Sequence, residues 1–291
     1  MEAKAEQKAD KPAARFRSSA KPIWCPGCGD YAVLNALARS LDGLGLAVAD
    51  VAVISGIGCS SRLPGYLNCY GFNSIHGRAI PIATGLKLAR PRITVLAVGG
   101  DGDGFAIGGN HVMHAARRNI DITYIMMDNG IYGLTKGQVS PTTPIGYKTK
   151  TTAYGAYEKP IKPLEVMLAY GCAFVGQGFA ADIKHLTELI TAAIKYPGFS
   201  YVNVISPCVT YRGGREQYDL IKQRVKHIDE IGHDVHDWDA AHALIRQLDT
   251  VWLGILWQER RETYQETQEE LKSRVDHAEQ DAIMEIAARY R

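Results

Sequence analysis

The sequence predicts an α/β protein whose mainly parallel sheet is flanked by helices. Three observations predict it. Apolar runs of strand length occur at 51–55, 93–98, 122–127 and 200–205. Segments of helical spacing separate them, the pattern of crossover units. Several runs end in glycine or polar residues, where open parallel sheets hold their ligands.

Taken in order, residues 1–22 are polar and mixed in charge, without the apolar core of a secretory signal. A disordered or extended arm is expected there. Trp24-Cys25-Pro26-Gly27-Cys28-Gly29-Asp30 follows, then apolar residues at 33, 34, 37, 38 and 41 with helical spacing, for which Asp30 is a suitable cap. The run 51–55 ends in Gly56-Ile57-Gly58-Cys59-Ser60-Ser61-Arg62, so Cys59 stands at a strand's carboxyl end. His76-Gly77-Arg78 precedes an alanine-containing helix reaching residue 89. Arg62 and Arg78 are candidates for an anionic cofactor or a carboxylate substrate, since guanidinium binds both bidentately.

The stretch 93–135 concentrates the chemistry. Its first run breaks into Gly99-Gly100-Asp101-Gly102-Asp103-Gly104, continues as a helix over about 108–118, and is followed by a run ending in Asp128-Asn129. The glycines permit close backbone approach to a ligand, and free helix-start amides favour phosphate. Asp101 and Asn129 offer oxygens from the ends of two strands, and magnesium takes about six oxygens shared among protein, phosphates and water. The stretch reads as a magnesium and diphosphate site. It lacks the third glycine of the dinucleotide fingerprint, because Phe105 or Ile107 occupies that place, and it lacks the Lys-Ser/Thr of a P-loop. His111 and His114, three apart on the helix, have no third nitrogen or sulfur ligand beside them, and packing is their expected role.

Beyond Asn129 an aperiodic stretch to residue 163, rich in Gly, Thr, Lys and Pro, is expected to be an active-site and partner-facing loop. Lys136 within it is a candidate for an anionic substrate or coenzyme A. A helix over 164–170, a strand near 173–176, a helix over 182–195 and the run 200–205 leading into Ser206-Pro207-Cys208 complete the alternation. Residues 215–291 are charged and read as a largely helical extension. Its His233-Asp234-Val235-His236-Asp237 cluster is expected to be a solvated turn, and Trp252, Leu253, Ile255, Leu256 and Trp257 form an apolar patch expected to dock on the main domain or another subunit.

With 291 residues, 46% of them hydrophobic, the chain can bury a full core, and a net charge of +2 makes no electrostatic case for nucleic acid. No apolar run approaches the roughly 18 residues of a membrane span, so a cytoplasmic protein is expected. Six cysteines in such a chain point to metal or redox chemistry rather than disulfides. For Cys25 and Cys28 a thioredoxin-like pair would need a strand just before them, where the sequence is basic and proline-bearing; zinc is another reading. Cys69 and Cys172 read as buried free thiols.

The Gly-Asp-Gly at 100–102, followed after 26 intervening residues by Asn129, resembles the thiamine diphosphate signature. Together with Trp24-Cys25-Pro26-Gly27-Cys28-Gly29-Asp30, GIGCSSRLPGY from Gly56, HGRAIPIATGLKLA from His76, DNGIYGLTKGQVSPTT from Asp128 and the late Cys208, it resembles the β subunit of two-chain 2-oxoacid:ferredoxin oxidoreductases, especially the 2-oxoglutarate-using branch. The resemblance covers about residues 23–208 and implies a thiamine diphosphate-binding domain of the diphosphate type at 23–214, with the arm at 1–22 and the extension at 215–291. It implies that Cys25, Cys28, Cys59 and Cys208 bind one 4Fe-4S cluster, and that Asp101, Asn129 and the Ile131 carbonyl hold Mg2+ on thiamine diphosphate. Gly58, Cys59, Ser60, His76, Gly100, Gly102, Asp103, Gly133 and Leu134 are expected around that cofactor, with Leu134 near the thiazolium. Arg62, His76, Arg78, Leu134 and Lys136 are the catalytic candidates. Some relatives of this type carry lysine where Arg62 stands.

What the resemblance implies chemically is conversion of a 2-oxoacid, 2-oxoglutarate first, and coenzyme A to acyl-CoA (succinyl-CoA) and CO2, with electrons passing singly through the cluster to an external ferredoxin. An α subunit would complete the thiamine site and supply the glutamate that activates the cofactor. Pyruvate or a broad range of 2-oxoacids is the alternative. A thiamine enzyme without iron would not need four placed cysteines, and an iron-sulfur carrier would not need Asp101 and Asn129.

Overall fold

A computed structural model describes residues 15–274 and 278–289. In chain order the elements are α1 (Asp30–Gly43), β1 (Val51–Ser55), β2 (Tyr70–Asn73), α2 (Ala79–Ala89), β3 (Thr94–Gly100), α3 (Gly109–Arg118), β4 (Thr123–Asp128), α4 (Pro163–Ala169), β5 (Phe174–Phe179), α5 (Ile183–Lys195), β6 (Ser200–Ile205), α6 (Gly214–Lys222), β7 (Val225–His227), α7 (Trp238–Ile245), β8 (Val251–Gln258), α8 (Tyr264–Arg274) and α9 (Ala278–Arg289). The strands form one sheet in the order β2-β1-β3-β4-β6-β5-β8-β7. The first six positions are parallel, and β8 runs antiparallel to β5.

Central strands are apolar on both faces because helices cover both. Along β3, Leu96 and Val98 point into a core shared with α1 and α5, whereas Val95 and Ala97 point into one shared with α2, α3, α4 and α7. The same division separates Val202 and Val204 of β6 from Tyr201. A fully buried leucine such as Leu96 contributes about 1.5–3 kcal/mol relative to exposure.

The order β1-β3-β4-β6 is what positions the site. It brings the carboxyl ends of four strands side by side, with Ser55 opposite Val98, Gly100 opposite Met127 and Asp128 opposite Ile205. The turns carrying Cys59, Asp101, Asn129 and Cys208 therefore emerge from one edge of the sheet.

Some features depart from the sequence reading. Asp30 is not the cap of α1 but its first helical residue; Gly29 occupies the cap, and Asp30 is 3% exposed. The four-residue β2 is exposed throughout and has no apolar alternation to announce it. The C-terminal segment is helical through α6, α7, α8 and α9, and it also adds β7 and β8 to the sheet. Its apolar patch docks as β8 beside β5, where a register shift at Val175 and Gly176 interrupts the alternation.

Residues 1–14 of the expected arm lie outside the described residues; Phe16 is fully buried, and Arg17 bridges to Leu67. Asn119 holds the C-terminal segment in place: from a left-handed cap of α3, its side chain accepts from Phe199 N (2.8 Å) and donates to Arg261 O (3.2 Å) and Glu262 O (3.0 Å). The 233–237 cluster is a structural turn, with His233 Nε2 2.8 Å from Leu256 O and Asp237 capping α7 through Ala240 N. The α8 start carries a reciprocal cap in which Thr263 N donates to Glu266 Oε2 (2.8 Å) and Glu266 N to Thr263 Oγ1 (3.1 Å).

Candidate functional site

The glycine turn after β3 begins as a π-type helical turn, Gly102–Ile107, rather than directly as α3. Such turns are uncommon and gather at functional sites. Glycine is required because a Cβ on Gly102 would run into the Tyr132 ring and one on Gly104 into the Tyr124 hydroxyl. This close packing leaves room at the strand ends for a cavity of about 190 Å³. All twelve residues expected around the cofactor line it: Gly58, Cys59, Ser60, His76, Gly100, Asp101, Gly102, Asp103, Asn129, Ile131, Gly133 and Leu134.

Asp101 is 1% exposed and accepts from Ser140 Oγ and from Thr142 Oγ1 at 2.8 Å. The same Thr142 oxygen lies 2.7 Å from Asp128 Oδ1, yet its single proton can serve only one carboxylate. Burial raises the pKa of Asp101, and burial together with the charge of Asp101 pushes Asp128 up to about 7. Two carboxylates with too few donors are a place where a divalent cation relieves both burial and repulsion. Asn129 bends its chain by accepting Ile131 N on its own Oδ1 at 2.9 Å, and its carbonyl accepts from Arg212 at 2.8 Å.

Asp103 has a different role from the one its position suggests. Although it lines the cavity, its Oδ1 is occupied as a brace, accepting Ile57 N (2.9 Å) and Gly77 N (2.8 Å) and lying 2.8 Å from His76 Nδ1. That contact sets the proton of a neutral imidazole on Nδ1 and leaves the lone pair on Nε2.

A second cavity, about 210 Å³, is lined by Cys25, Cys28, Cys59 and Cys208, with Trp24, Asp30 and Arg62. The loop before α1, the glycine turn after β1 and the end of β6 supply these thiols, and Trp24 Nε1 ties two of the segments by donating to Cys59 O at 2.7 Å. Burial, the charge of Asp30 and the neighbouring thiols raise the pKa of Cys28, and the same influences push Cys59 up to about 11. Burial raises Asp30 itself to about 6. Four thiols confined in one space suit a centre that replaces their protons with metal. Loop backbone precedes Cys25, so the strand that a thioredoxin-like site requires is absent there.

The two cavities share Cys59, Asn129, Gly133 and Leu134 as lining. Arg62 lies in the thiol cavity and not in the one containing Asp101. Arg78 and Lys136 line neither: the Arg78 guanidinium donates to the Gly77 and Ile107 carbonyls, and Lys136 sits exposed in a left-handed turn at φ 76°. Cys69 and Cys172 are likewise outside both. Sequence reasoning does not single out Ser140, Thr142, Asp128 or Arg212. Hydroxyls in the SPTT segment are a weak signal for the first two; Arg212, 83 positions from Asn129, carries none.

Residues 56–204 match the family described as thiamine pyrophosphate enzyme, C-terminal TPP binding domain. Residues 208–273 match the C-terminal family of the pyruvate ferredoxin oxidoreductase beta subunit. The chain is 38% identical over 268 residues to 2-oxoacid:ferredoxin oxidoreductase 2, subunit beta, of Aeropyrum pernix, covering 88% of this chain and 86% of that protein. It is 48% identical over 208 residues to 2-oxoglutarate oxidoreductase subunit KorB of Mycobacterium tuberculosis, covering 72% of this chain but only 55% of that relative. Among solved structures, the 2-oxoglutarate:ferredoxin oxidoreductase of Magnetococcus marinus, with 2-oxoglutarate, coenzyme A and succinyl-CoA bound, superposes with a TM-score of 0.89 at 40% identity, over 96% of this chain and 97% of that one.

Proposed function

The chain belongs to the family of 2-oxoacid:ferredoxin oxidoreductase β subunits, and we propose that with an α subunit it converts 2-oxoglutarate and coenzyme A to succinyl-CoA and CO2, reducing ferredoxin. The observation that carries this reading is the common lining of Cys59, Asn129, Gly133 and Leu134, which sets a diphosphate-type site against a four-thiol site. An enzyme that only decarboxylated would not need the second cavity, and an electron carrier would not need the first.

When bound, thiamine diphosphate supplies the nucleophilic carbon and electron sink for decarboxylation, and a 4Fe-4S cluster supplies a one-electron relay. Asp101, Asn129 and the Ile131 carbonyl would hold Mg2+, with Gly100 and Gly102 allowing the diphosphate to approach the backbone. Asp103 keeps His76 in a fixed tautomer at the same cavity. Cys25, Cys28, Cys59 and Cys208 would hold the cluster, and Arg62 places a positive charge beside it. Leu134, 43% exposed and common to both cavities, offers the apolar surface for the thiazolium. No general base is assigned to this chain; that group belongs to the α subunit.

The relatives named for 2-oxoglutarate and the substrate bound in the Magnetococcus structure support the choice of acid. The match of 208–273 to a pyruvate ferredoxin oxidoreductase segment favours, as a second reading, pyruvate or a broad range of 2-oxoacids. Among the described residues no helix is long and apolar enough to cross a membrane, in keeping with work alongside a ferredoxin in the cytoplasm. The test is ferredoxin reduction by the anaerobically co-purified complex, with coenzyme A and a panel of 2-oxoacids. Fastest turnover with 2-oxoglutarate is expected. Equal or faster turnover with pyruvate would favour the second reading, and a colourless, iron-free complex that still binds thiamine diphosphate would sink the redox assignment.

A further inference from the structure

Away from both cavities, the turn between β5 and α5 meets the end of β7. Asp182, His185 and His227 converge there, one ligand atom from each lying within 4.8 Å of the others. Asp182 Oδ1 caps α5 by accepting His185 N at 3.2 Å, which orients the carboxylate and leaves Oδ2 3.3 Å from His227 Nε2. The two imidazoles stand nearly perpendicular, 80° between planes and 4.7 Å between centroids. His185 Nδ1 is sealed from solvent and has no hydrogen-bond partner among the described residues. The Asp182 and His227 side chains remain 35% and 32% exposed, an open side by which an ion and its water could enter.

We propose that Asp182, His185 and His227 form a binding site for a zinc-type divalent transition ion, which clamps the C-terminal segment to the start of α5. Two imidazoles and one carboxylate are a borderline-soft donor set that suits zinc and does not suit magnesium or calcium, which want oxygen alone. Tetrahedral zinc with bonds of about 2.0–2.2 Å keeps its ligand atoms about 3.3–3.6 Å apart. The Asp182 to His227 separation of 3.3 Å is already of that size. Water would fill the fourth position. The clamp would act on a weak point, since β7 is three residues long and pairs with β8 alone. An ion pair between Asp182 and His227 without metal accounts for their contact but leaves the buried His185 nitrogen unsatisfied.

The test titrates the desalted, iron-loaded complex with Zn2+ and, separately, with Co2+. One zinc per chain beyond background is expected, together with tetrahedral cobalt bands lacking the thiolate charge-transfer absorption that binding to the cysteines would produce. His227→Gln should weaken zinc binding by more than about 100-fold, the upper end of what loss of an outer-shell partner costs, with iron and thiamine content unchanged. The thermal midpoint of the unaltered complex, read in parallel, should rise with zinc, so a variant that fails to fold does not decide the matter. Undiminished zinc binding by His227→Gln, thiolate bands in the cobalt spectrum, or neither binding nor a thermal shift in the unaltered complex would overturn the site. Iron and thiamine contents report on the catalytic reading separately.

Discussion

Gly133 stands against Cys59 where the two cavities meet: a Cβ on Gly133 would lie 3.7 Å from the Cys59 sulfur, and 3.7 Å from that of Cys208. This is ordinary contact, so alanine fits, while the further methyls of valine extend toward the sulfurs. Gly133→Ala is expected to keep its iron and Gly133→Val to lose most of it, as read by iron per chain and visible absorbance. Equal iron in the two variants would mean that this wall does not bound the cluster space.

Asp101→Ala should abolish binding of thiamine diphosphate with Mg2+ and leave the iron content unchanged, because Asp101 does not line the cavity that gathers all four thiols. Calorimetric titration of the anaerobic complex with thiamine diphosphate and Mg2+ measures the first half of the claim, and iron per chain the second. Retained thiamine affinity would contradict the magnesium role of Asp101.

The cysteines divide by location. Cys208→Ser is expected to lose or degrade the cluster, whereas Cys172→Ser should leave it intact, since Cys172 is fully buried elsewhere with its Sγ 3.2 Å from Phe174 O. Iron analysis and low-temperature spin resonance distinguish the two; an unchanged signal in Cys208→Ser would remove that residue from the ligand set.

Removing the Asp103 carboxylate orphans the Ile57 and Gly77 amides and frees His76. The Gly77 amide is buried and the Ile57 amide only partly so; at about 1–3 kcal/mol for a buried donor left unpaired, Asp103→Ala should destabilise the chain by about 2–3 kcal/mol. Denaturant unfolding tests this, and a loss below 1 kcal/mol (about the contribution of one ordinary hydrogen bond) would show that Asp103 is no brace.

Asp128 carries a pH signature. Its folded pKa, about 7, lies above the ordinary value of 3.8, so folding favours its neutral form. The favourable contribution is fully present below the unfolded value and is lost as pH rises toward 7. Without magnesium, Asp128→Asn should therefore raise the thermal midpoint relative to the unaltered complex at pH 8 (above the titration range) and change it little at pH 4 (near the unfolded value). A gain at pH 4 equal to that at pH 8 would rule out titration of this carboxyl as the cause.

Much of the fold was legible because its signals are local. The expected strands at 51–55 and 200–205 coincide with β1 and β6, and the helix expected over 182–195 differs from α5 by one residue. The strands that escaped notice lack such signals. β2 is exposed at every position, and β8 reads as an undifferentiated apolar patch because Gly254, at φ 135°, and a register shift disturb its alternation.

Within the site, glycines, a strand-end Asp101 and an Asn129 announce themselves through turn chemistry and residue type. The donors that complete the arrangement do not. Ser140 and Thr142 come from an aperiodic loop, and Arg212 reaches the Asn129 carbonyl from beyond β6. Asp182 and His185 are visible as neighbours on one helix start, but nothing local foretells that β7 brings His227 to them.

By itself the sequence determined the alternation of strands and helices, the glycine turn after β3 and the candidate ligands, since these depend on spacing within a few residues. The resemblance grouped Cys59 and Cys208, but no spacing does so across 148 intervening residues; only the tertiary structure lines one cavity with both and leaves Arg78 and Lys136 outside it. The physical reason is strand order. Placing β1, β3, β4 and β6 side by side is settled by which apolar faces can be buried together across the whole chain, and only that choice fixes which turns share an edge.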